Sequence, residues 1–309
     1  FFQAEDGIRH VERSRGLGDV YKRQLGIYMG LTKGAYHCIY NYGSEELKET
    51  YLPRFLTGEW FGTMCLTEAH CGTDLGLIRT NAKPKGKSYS LNGQKIFISC
   101  GEHDIAENII HLVLARLPDA PKGVKGISLF LVPKFLVNDD GTLRSRNGVK
   151  CVSIEEKMGV HGSATCVMSF EDAEGYLVGE PHDGLAAMFS MMNTERIAVG
   201  LQGLGQAEIA YQNGLAYAKD RLQGRDLKEP KNPDGEADPL IVHPDVRRML
   251  MRSKSLIDAG RMLASWTSLA IDKSMKDPDE KIRKENKELV QLMTPIAVSY
   301  THLRDNETS

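Results

Sequence analysis

The residues of this chain best suited to chemistry fall in two short stretches. The first is Met64-Cys65-Leu66-Thr67-Glu68-Ala69-His70-Cys71-Gly72-Thr73-Asp74, and the second is Ser90-Leu91-Asn92-Gly93-Gln94-Lys95-Ile96-Phe97-Ile98-Ser99-Cys100-Gly101. The first reads as turn-rich. It carries hydroxyls at Thr67 and Thr73, and a glycine, Gly72, that lets backbone N–H groups approach a ligand closely. In the second, Asn92-Gly93 between alternating apolar runs reads as a type I′ hairpin turn, because both central residues of that turn need positive φ. Ile96, Phe97 and Ile98 then read as a strand ending in a small hydroxyl residue, Ser99. Together these residues make a wall of backbone donors, hydroxyls and one aromatic ring, suited to a flat polar heterocycle. On its own, Phe97 reads equally well as a strand core residue.

Two further groups could act on a bound molecule. Asn193-Thr194-Glu195-Arg196 sets charges inside an otherwise apolar helical run, which is costly unless they are paired or open to a cleft. Asp220-Arg221-Leu222-Gln223-Gly224-Arg225 offers guanidinium forks suited to phosphate, or else a solvated helix end that favours the dipole. Six cysteines (Cys38, Cys65, Cys71, Cys100, Cys151 and Cys166) form no Cys-x-x-Cys pair, so they read as reduced, mostly buried thiols of a cytoplasmic protein. His70 beside Cys71 finds no partner pair at zinc-like spacing, and no metal is expected.

The elements that must hold these residues follow from periodicity. Residues 25–63 begin as a buried helix through Leu25, Ile27, Met29, Leu31, Ala35 and Ile39; Asn41 to Ser44 break it, and Ser44 caps a second, short helix. From Phe61 to about Gly179 the period falls to two. Strands are expected at 89–91, 95–99, 111–115, 127–132 and 164–170, in a small sandwich or barrel. Beyond Pro181 the period is helical again, with a loop over 228–239, a helix opened by Pro244-Asp245, a break at Asp277-Pro278-Asp279, and a last helix from Lys281. Helices, then strands, then helices, without βαβ alternation, give an α+β chain of three parts.

Taken in order from about Leu25 to Ala297, the sequence resembles the acyl-CoA dehydrogenase family. Its signature is a Thr-Glu-x-x-x-Gly-Ser-Asp-like turn followed by Gly-x-Lys-x-Trp-Ile-Thr-like strand residues, and the pattern is similar to the branch that includes 3-methylthiopropionyl-CoA dehydrogenases. Thr73 replaces the usual Ser, and Phe97-Ile98-Ser99 replaces Trp-Ile-Thr, so a hydroxyl and an aromatic ring remain. Lys157 to Thr165 resembles the family's Lys-x-Gly-x-x-x-Ser-x-Thr stretch.

The resemblance implies the end of an N-terminal helical domain over 25–60, a central β-barrel or sandwich domain over 61–180, and a truncated C-terminal helical bundle over 181–298. Residues 1–24 and 299–309 do not match; they resemble translated sequencing-adapter read-through and are expected to be non-native tails. FAD is the implied cofactor, because no side chain accepts a hydride. Met64, Cys65, Leu66, Thr67, Gly72, Phe97, Ile98, Ser99, Arg221 and Gln223 would line it, and Thr73, Asn193 and Arg196 would face the acyl-CoA. The family's usual base is a Glu in a Tyr-Glu-Gly-Thr-like loop, expected beyond this sequence; a minority use a Glu matching Glu195. The chain as written is therefore expected to bind FAD poorly and not to turn over. The parent is expected to be a dimer or tetramer that passes electrons to an electron-transfer flavoprotein. An acyl-CoA oxidase of the same fold and a non-catalytic flavoprotein relative are the alternatives. Lys+Arg 39 against Asp+Glu 41 gives no support for nucleic-acid binding, and no apolar run is long enough to span a bilayer.

Overall fold

A computed structural model describes residues 18–138 and 140–299; the side chains of 18–26, 193–195, 197, 198 and 297–299 are outside that description. The two tail-like segments, 1–24 and 299–309, thus lie mostly outside the described residues. What is described of the first is helical: α1 (Gly18–Tyr42) begins before Leu25. No proline or glycine interrupts 19–24, and elongation adds one hydrogen bond for each residue fixed. The second helix, α2 (Glu45–Thr57), starts as the sequence reads: the Ser44 hydroxyl accepts from the Leu47 N–H at 3.3 Å, with Glu45 and Glu46 in the first turn.

Two compact units divide between Glu195 and Arg196. At the centre of the first is a closed ring of five strands. β1 (Trp60–Cys65), β2 (Asn81–Lys85), β3 (Ser88–Ser99), β4 (Asn108–Arg116) and β5 (Ile127–Pro133) are followed by β6 (Phe135–Val137), β7 (Leu143–Arg146), β8 (Val149–Ile154) and β9 (Thr165–Val178). The ring runs β4–β5–β9–β3–β2 and closes where Asn81 of β2 meets Arg116 of β4. β1 lies parallel on β4, β8 lies on β9, and β6 pairs with β7 apart from the ring.

Both faces of β4 and β5 are covered, which explains their unbroken apolar runs. Val113, Ala115, Phe130 and Val132 turn toward one cluster, with Leu91, Ile98, Cys166, Met168 and Phe170. Ile110, Leu112, Leu114, Leu129 and Leu131 join a second cluster, in which α1 and α2 bury Leu31, Ala35, Ile39 and Phe55. The first turns of α3 (Gly184–Asp220) add Ala187, Met188 and Met191 to that cluster.

The expected Asn92-Gly93 hairpin is not formed. β3 continues through both residues, with a register shift against β9 there, and the turn falls at Gly86-Lys87, with Gly86 at φ 63°. Gly93 is needed for a different reason: a Cβ there would stand 2.4 Å from Thr80 Oγ1 and 2.8 Å from Thr80 Cα. The glycine marks close approach of another backbone, one of the two meanings an in-strand glycine can have. The partner strand β2 escaped notice in the sequence because Pro84 and two lysines, Lys83 and Lys85, leave it no apolar alternation.

In the second unit, α4 (Pro244–Lys276) and α5 (Glu280–Ser299) pack together, burying Ile257, Thr267, Ala270 and Met293. Arg261 of α4 bonds Glu208 of α3 at 2.7 Å. No helix of the described residues is long and apolar enough to cross a membrane.

The two glycines separate experimentally. Gly93→Ala should lower unfolding free energy in urea by about 2–3 kcal/mol through overpacking against backbone. Gly86→Ala meets nothing within 4 Å and should cost only about 1 kcal/mol, the conformational penalty of a left-handed residue.

Candidate functional site

The turn after β1 and the end of β3 are joined by buried polar contacts. Lys95, fully buried in β3, donates from Nζ to the Leu66 carbonyl at 2.9 Å and to Glu68 Oε1 at 2.9 Å. Glu68 is itself buried; its carboxylate also accepts from the Arg79 N–H at 2.7 Å, the Thr80 N–H at 3.0 Å and the Thr80 hydroxyl at 2.6 Å. The Ile96 N–H donates to the Thr67 carbonyl at 2.9 Å, and Glu68 and Cys71 exchange backbone bonds that close the turn 68–71. Burial alone would raise the Glu68 pKa, but the Lys95 ammonium and the Thr80 and Arg79 donors overcome it and hold the carboxyl below its ordinary value. Burial pushes the Lys95 ammonium down, and Glu68 opposes that. Neither residue was assigned a role from sequence. The available signal was a lysine in a strand at a position sharing the inward parity of Leu91, with one acid in the facing turn.

On this frame β3 ends irregularly. Between Lys95 opposite Met168 and Ile98 opposite Cys166, β3 has two residues where β9 has one, a bulge. Phe97 takes a left-handed φ of 59° there, and its ring is 59% exposed while Ile98 beside it is buried. Thr67 and Ser99 are half-buried, and among the described residues neither hydroxyl makes a hydrogen bond. A Cβ on Gly72 would touch Thr67 Cγ2 at 3.5 Å, so Gly72 lies beside the Thr67 side chain. Thr73 follows it, exposed. Ser99 stands opposite Thr165, and Lys157 braces that strand start through the Ser163 carbonyl and the Thr165 hydroxyl at 2.9 Å.

The other expected residues are placed differently. Cys65 and Ile98 are buried in the barrel cluster, and burial pushes the Cys65 thiol up to about 12, so these two offer a ligand only their backbones. Leu66 packs into the helix-covered cluster, and Met64 is packed against it, partly buried. In the second unit, Arg221 and Gln223 start a loop pinned by the buried Asp238: the Gln223 N–H donates to the Asp238 carbonyl at 2.9 Å, and the Asp238 carboxylate takes three further N–H groups, from Asp226, Lys231 and Asn232. Arg225 spends its guanidinium on the Asn232 and Gly235 carbonyls, whereas the exposed Arg221 side chain has no partner among the described residues. Arg196 lies on α3, exposed, and the side chains of Asn193 and Glu195 lie outside the described residues.

An exposed aromatic ring near the end of β3, with unspent hydroxyls on Ser99 two residues on and on Thr67, whose carbonyl accepts from Ile96, could hold a flat heterocycle that needs a stacking surface and donors at its polar edge. A cation is less well served. Donor atoms of Glu68, His70 and Cys71 come within 4.8 Å of one another, but the Glu68 oxygens are taken by Lys95, Thr80 and Arg79. His70 Nε2 faces the Leu77 carbonyl at 3.0 Å and must donate to it.

Residues 63–173 match the profile of the acyl-CoA dehydrogenase middle domain. The chain is 47% identical to a 3-methylmercaptopropionyl-CoA dehydrogenase of Ruegeria pomeroyi over 89% of its own length and 46% of the relative's. It is 42% identical to a butyryl-CoA dehydrogenase of Syntrophomonas wolfei, over 87% of its own length and 45% of that protein. The fold superposes on butyryl-CoA dehydrogenase from Megasphaera elsdenii with a TM-score of 0.64 at 26% identity, covering 89% of this chain and 67% of that one. The chain thus spans about half the length of the two relatives matched by sequence.

Lys95→Met should destabilise the protein by about 3–5 kcal/mol in urea unfolding, since it leaves the Glu68 charge buried without its partner. Because the folded-state pKa of Glu68 lies below the ordinary 4.5, the unfolded chain binds more protons in that window. The contribution of Glu68 is therefore present above the ordinary value and lost as pH falls through the folded one. A series of urea midpoints taken into acid should show that loss, and Glu68→Gln should flatten it.

Proposed function

The chain belongs to the acyl-CoA dehydrogenase family, and from that premise we propose that it serves the FAD-dependent α,β-dehydrogenation of an acyl-CoA thioester to the trans-2-enoyl-CoA. The observation that carries this reading is the Phe97 ring, turned out of β3 by a left-handed bulge, with an unspent hydroxyl on Ser99 two residues on and another on Thr67, whose carbonyl accepts from Ile96. Bound there, FAD supplies the acceptor for the β-hydride, which no side chain can provide. Phe97 gives the ring a surface to lie against. Thr67, with the backbone of Met64 to Leu66 and Gly72, would supply donors to the bound flavin, and Ser99 would add a hydroxyl to the same site.

Thr73, Asn193 and Arg196 are the residues proposed for the CoA portion. Arg221 and Gln223 are proposed for the FAD phosphates, a role suited to the unpaired guanidinium of Arg221. The α-proton needs a carboxylate within hydrogen-bond reach, and Glu195 is the candidate among the residues present. An electron-transfer flavoprotein is the proposed acceptor of the electrons, and a homo-oligomer the proposed assembly. Oxygen uptake without any added acceptor would instead favour an oxidase.

Titration of the chain with FAD, followed by flavin fluorescence, tests the core of this proposal. Weak but saturable binding is expected, reduced about tenfold by each of Thr67→Val, Ser99→Ala and Phe97→Ala. A hydrogen bond or an aromatic contact is worth roughly 1–1.5 kcal/mol. No saturable uptake, or uptake that none of the three substitutions changes, would overturn it.

A further inference from the structure

Resting on that reading, we propose that Lys95 is a positioning residue for the flavin's polar edge. Its ammonium, held on the Leu66 carbonyl, polarises the Leu66–Thr67 peptide so that the Thr67 N–H becomes a stronger donor and raises the reduction potential of a flavin bound against it. Leu66 O and Thr67 N belong to one resonant peptide unit, in which charge drawn toward oxygen is withdrawn from nitrogen. The bond from Lys95 Nζ to Leu66 O, at 2.9 Å, is charge-assisted and wholly buried, where such bonds act most strongly. The other end of Thr67 is fixed too, by the Ile96 N–H on its carbonyl at 2.9 Å. The donor at Thr67 is therefore set in direction as well as in strength.

Glu68 does not cancel the effect at that carbonyl. Its charge is shared with the Arg79 N–H, the Thr80 N–H and the Thr80 hydroxyl, whereas the ammonium bonds Leu66 O directly. Stability alone is a poor reason for the pair, because a buried ion pair is commonly matched or bettered by apolar residues of similar volume. A neutral side chain could equally satisfy one carbonyl. What lysine adds is a full charge on the peptide whose N–H belongs to Thr67.

The test compares Glu68→Gln with the double variant Lys95→Met/Glu68→Gln, which removes the ammonium without stranding a carboxylate. Anaerobic reduction of the flavin-loaded proteins against a reference dye should show the double variant lower in potential. The expected size is about tenfold in the two-electron reduction equilibrium, or about 30 mV. Glu68→Gln alone leaves the ammonium on Leu66 without its counter-charge and should raise the potential.

A second readout needs no flavin. With [13C′]Leu and [15N]Thr labels, the sequence contains three Leu–Thr peptides, Leu31–Thr32, Leu56–Thr57 and Leu66–Thr67. The Leu66–Thr67 signal should move in the double variant while the other two stay, which separates loss of the charge from general unfolding. A folded, flavin-loaded double variant with unchanged potential and an unmoved Leu66–Thr67 signal sinks the inference and leaves the functional reading standing. If the double variant does not fold, an unchanged potential in Glu68→Gln sinks it equally. A chain that takes up no flavin overturns the reading and this inference with it.

Discussion

Lys95 points its ammonium into a site with no solvent, and an ammonium there is tolerated only because Leu66 and Glu68 receive it. The requirement runs both ways. Glu68 can be buried only with Lys95, Thr80 and the Arg79 amide around it, so the turn after β1, the start of β2 and the middle of β3 must assemble together. A loop otherwise able to slide over the barrel rim is instead fixed to within hydrogen-bond tolerance. That fixity is what a ligand-facing wall of backbone donors needs, since a donor displaced by an ångström contributes little.

The barrel supplies the second constraint. β4 and β5 are covered on both faces, so a register slip there would drive Leu112 or Val113 to the wrong cluster, and their pairing is strongly specified. Within such a sheet a bulge is the available way to turn one side chain out without disturbing the rest. β3 uses it once, at Ile96 and Phe97, and resumes regular pairing at Ile98 and Ser99. The buried Lys95 and the exposed Phe97 are therefore two outcomes of one strand, the first held in by charge pairing and the second released by the extra residue.

Much of this was legible from the chain itself. β4 and β5 declare themselves because their apolar runs are long and rich in branched residues, and the caps and breaks of α2, α4 and α5 carry their own residue types. The Asn92-Gly93 reading failed because local turn chemistry was weighed without its partner. The glycine answers to Thr80, thirteen residues earlier, and nothing local reveals that. Glu68 and Lys95 went unassigned for a related reason: a charge pair 27 residues apart has no periodic signature, and a lone lysine in a strand reads by default as solvated. Thr67, Phe97 and Ser99 could be named from residue type. That Phe97 is exposed, and not the core residue that its strand position equally suggests, depends on a backbone angle that no residue type announces.

That angle carries an argument of its own. Phe97 at φ 59° and Cys100 at φ 61° are left-handed residues with side chains, three positions apart at the end of one strand, and each is held at a cost of about 1–2 kcal/mol. Such conformations persist only where the surroundings over-determine them. Here the Ile96 amide is bound to Thr67, the Cys100 amide to the Ala164 carbonyl at 2.7 Å, and Ser99 is paired with Thr165. Val160, in the segment leading into that same pairing, is left-handed as well, at φ 57°. Neither core cluster gains from turning a phenylalanine ring toward solvent, since burying that ring would itself have been favourable. The strain is concentrated at the end of β3 that displays this ring and carries the Ser99 hydroxyl, which favours reading this rim of the barrel as built around something it binds.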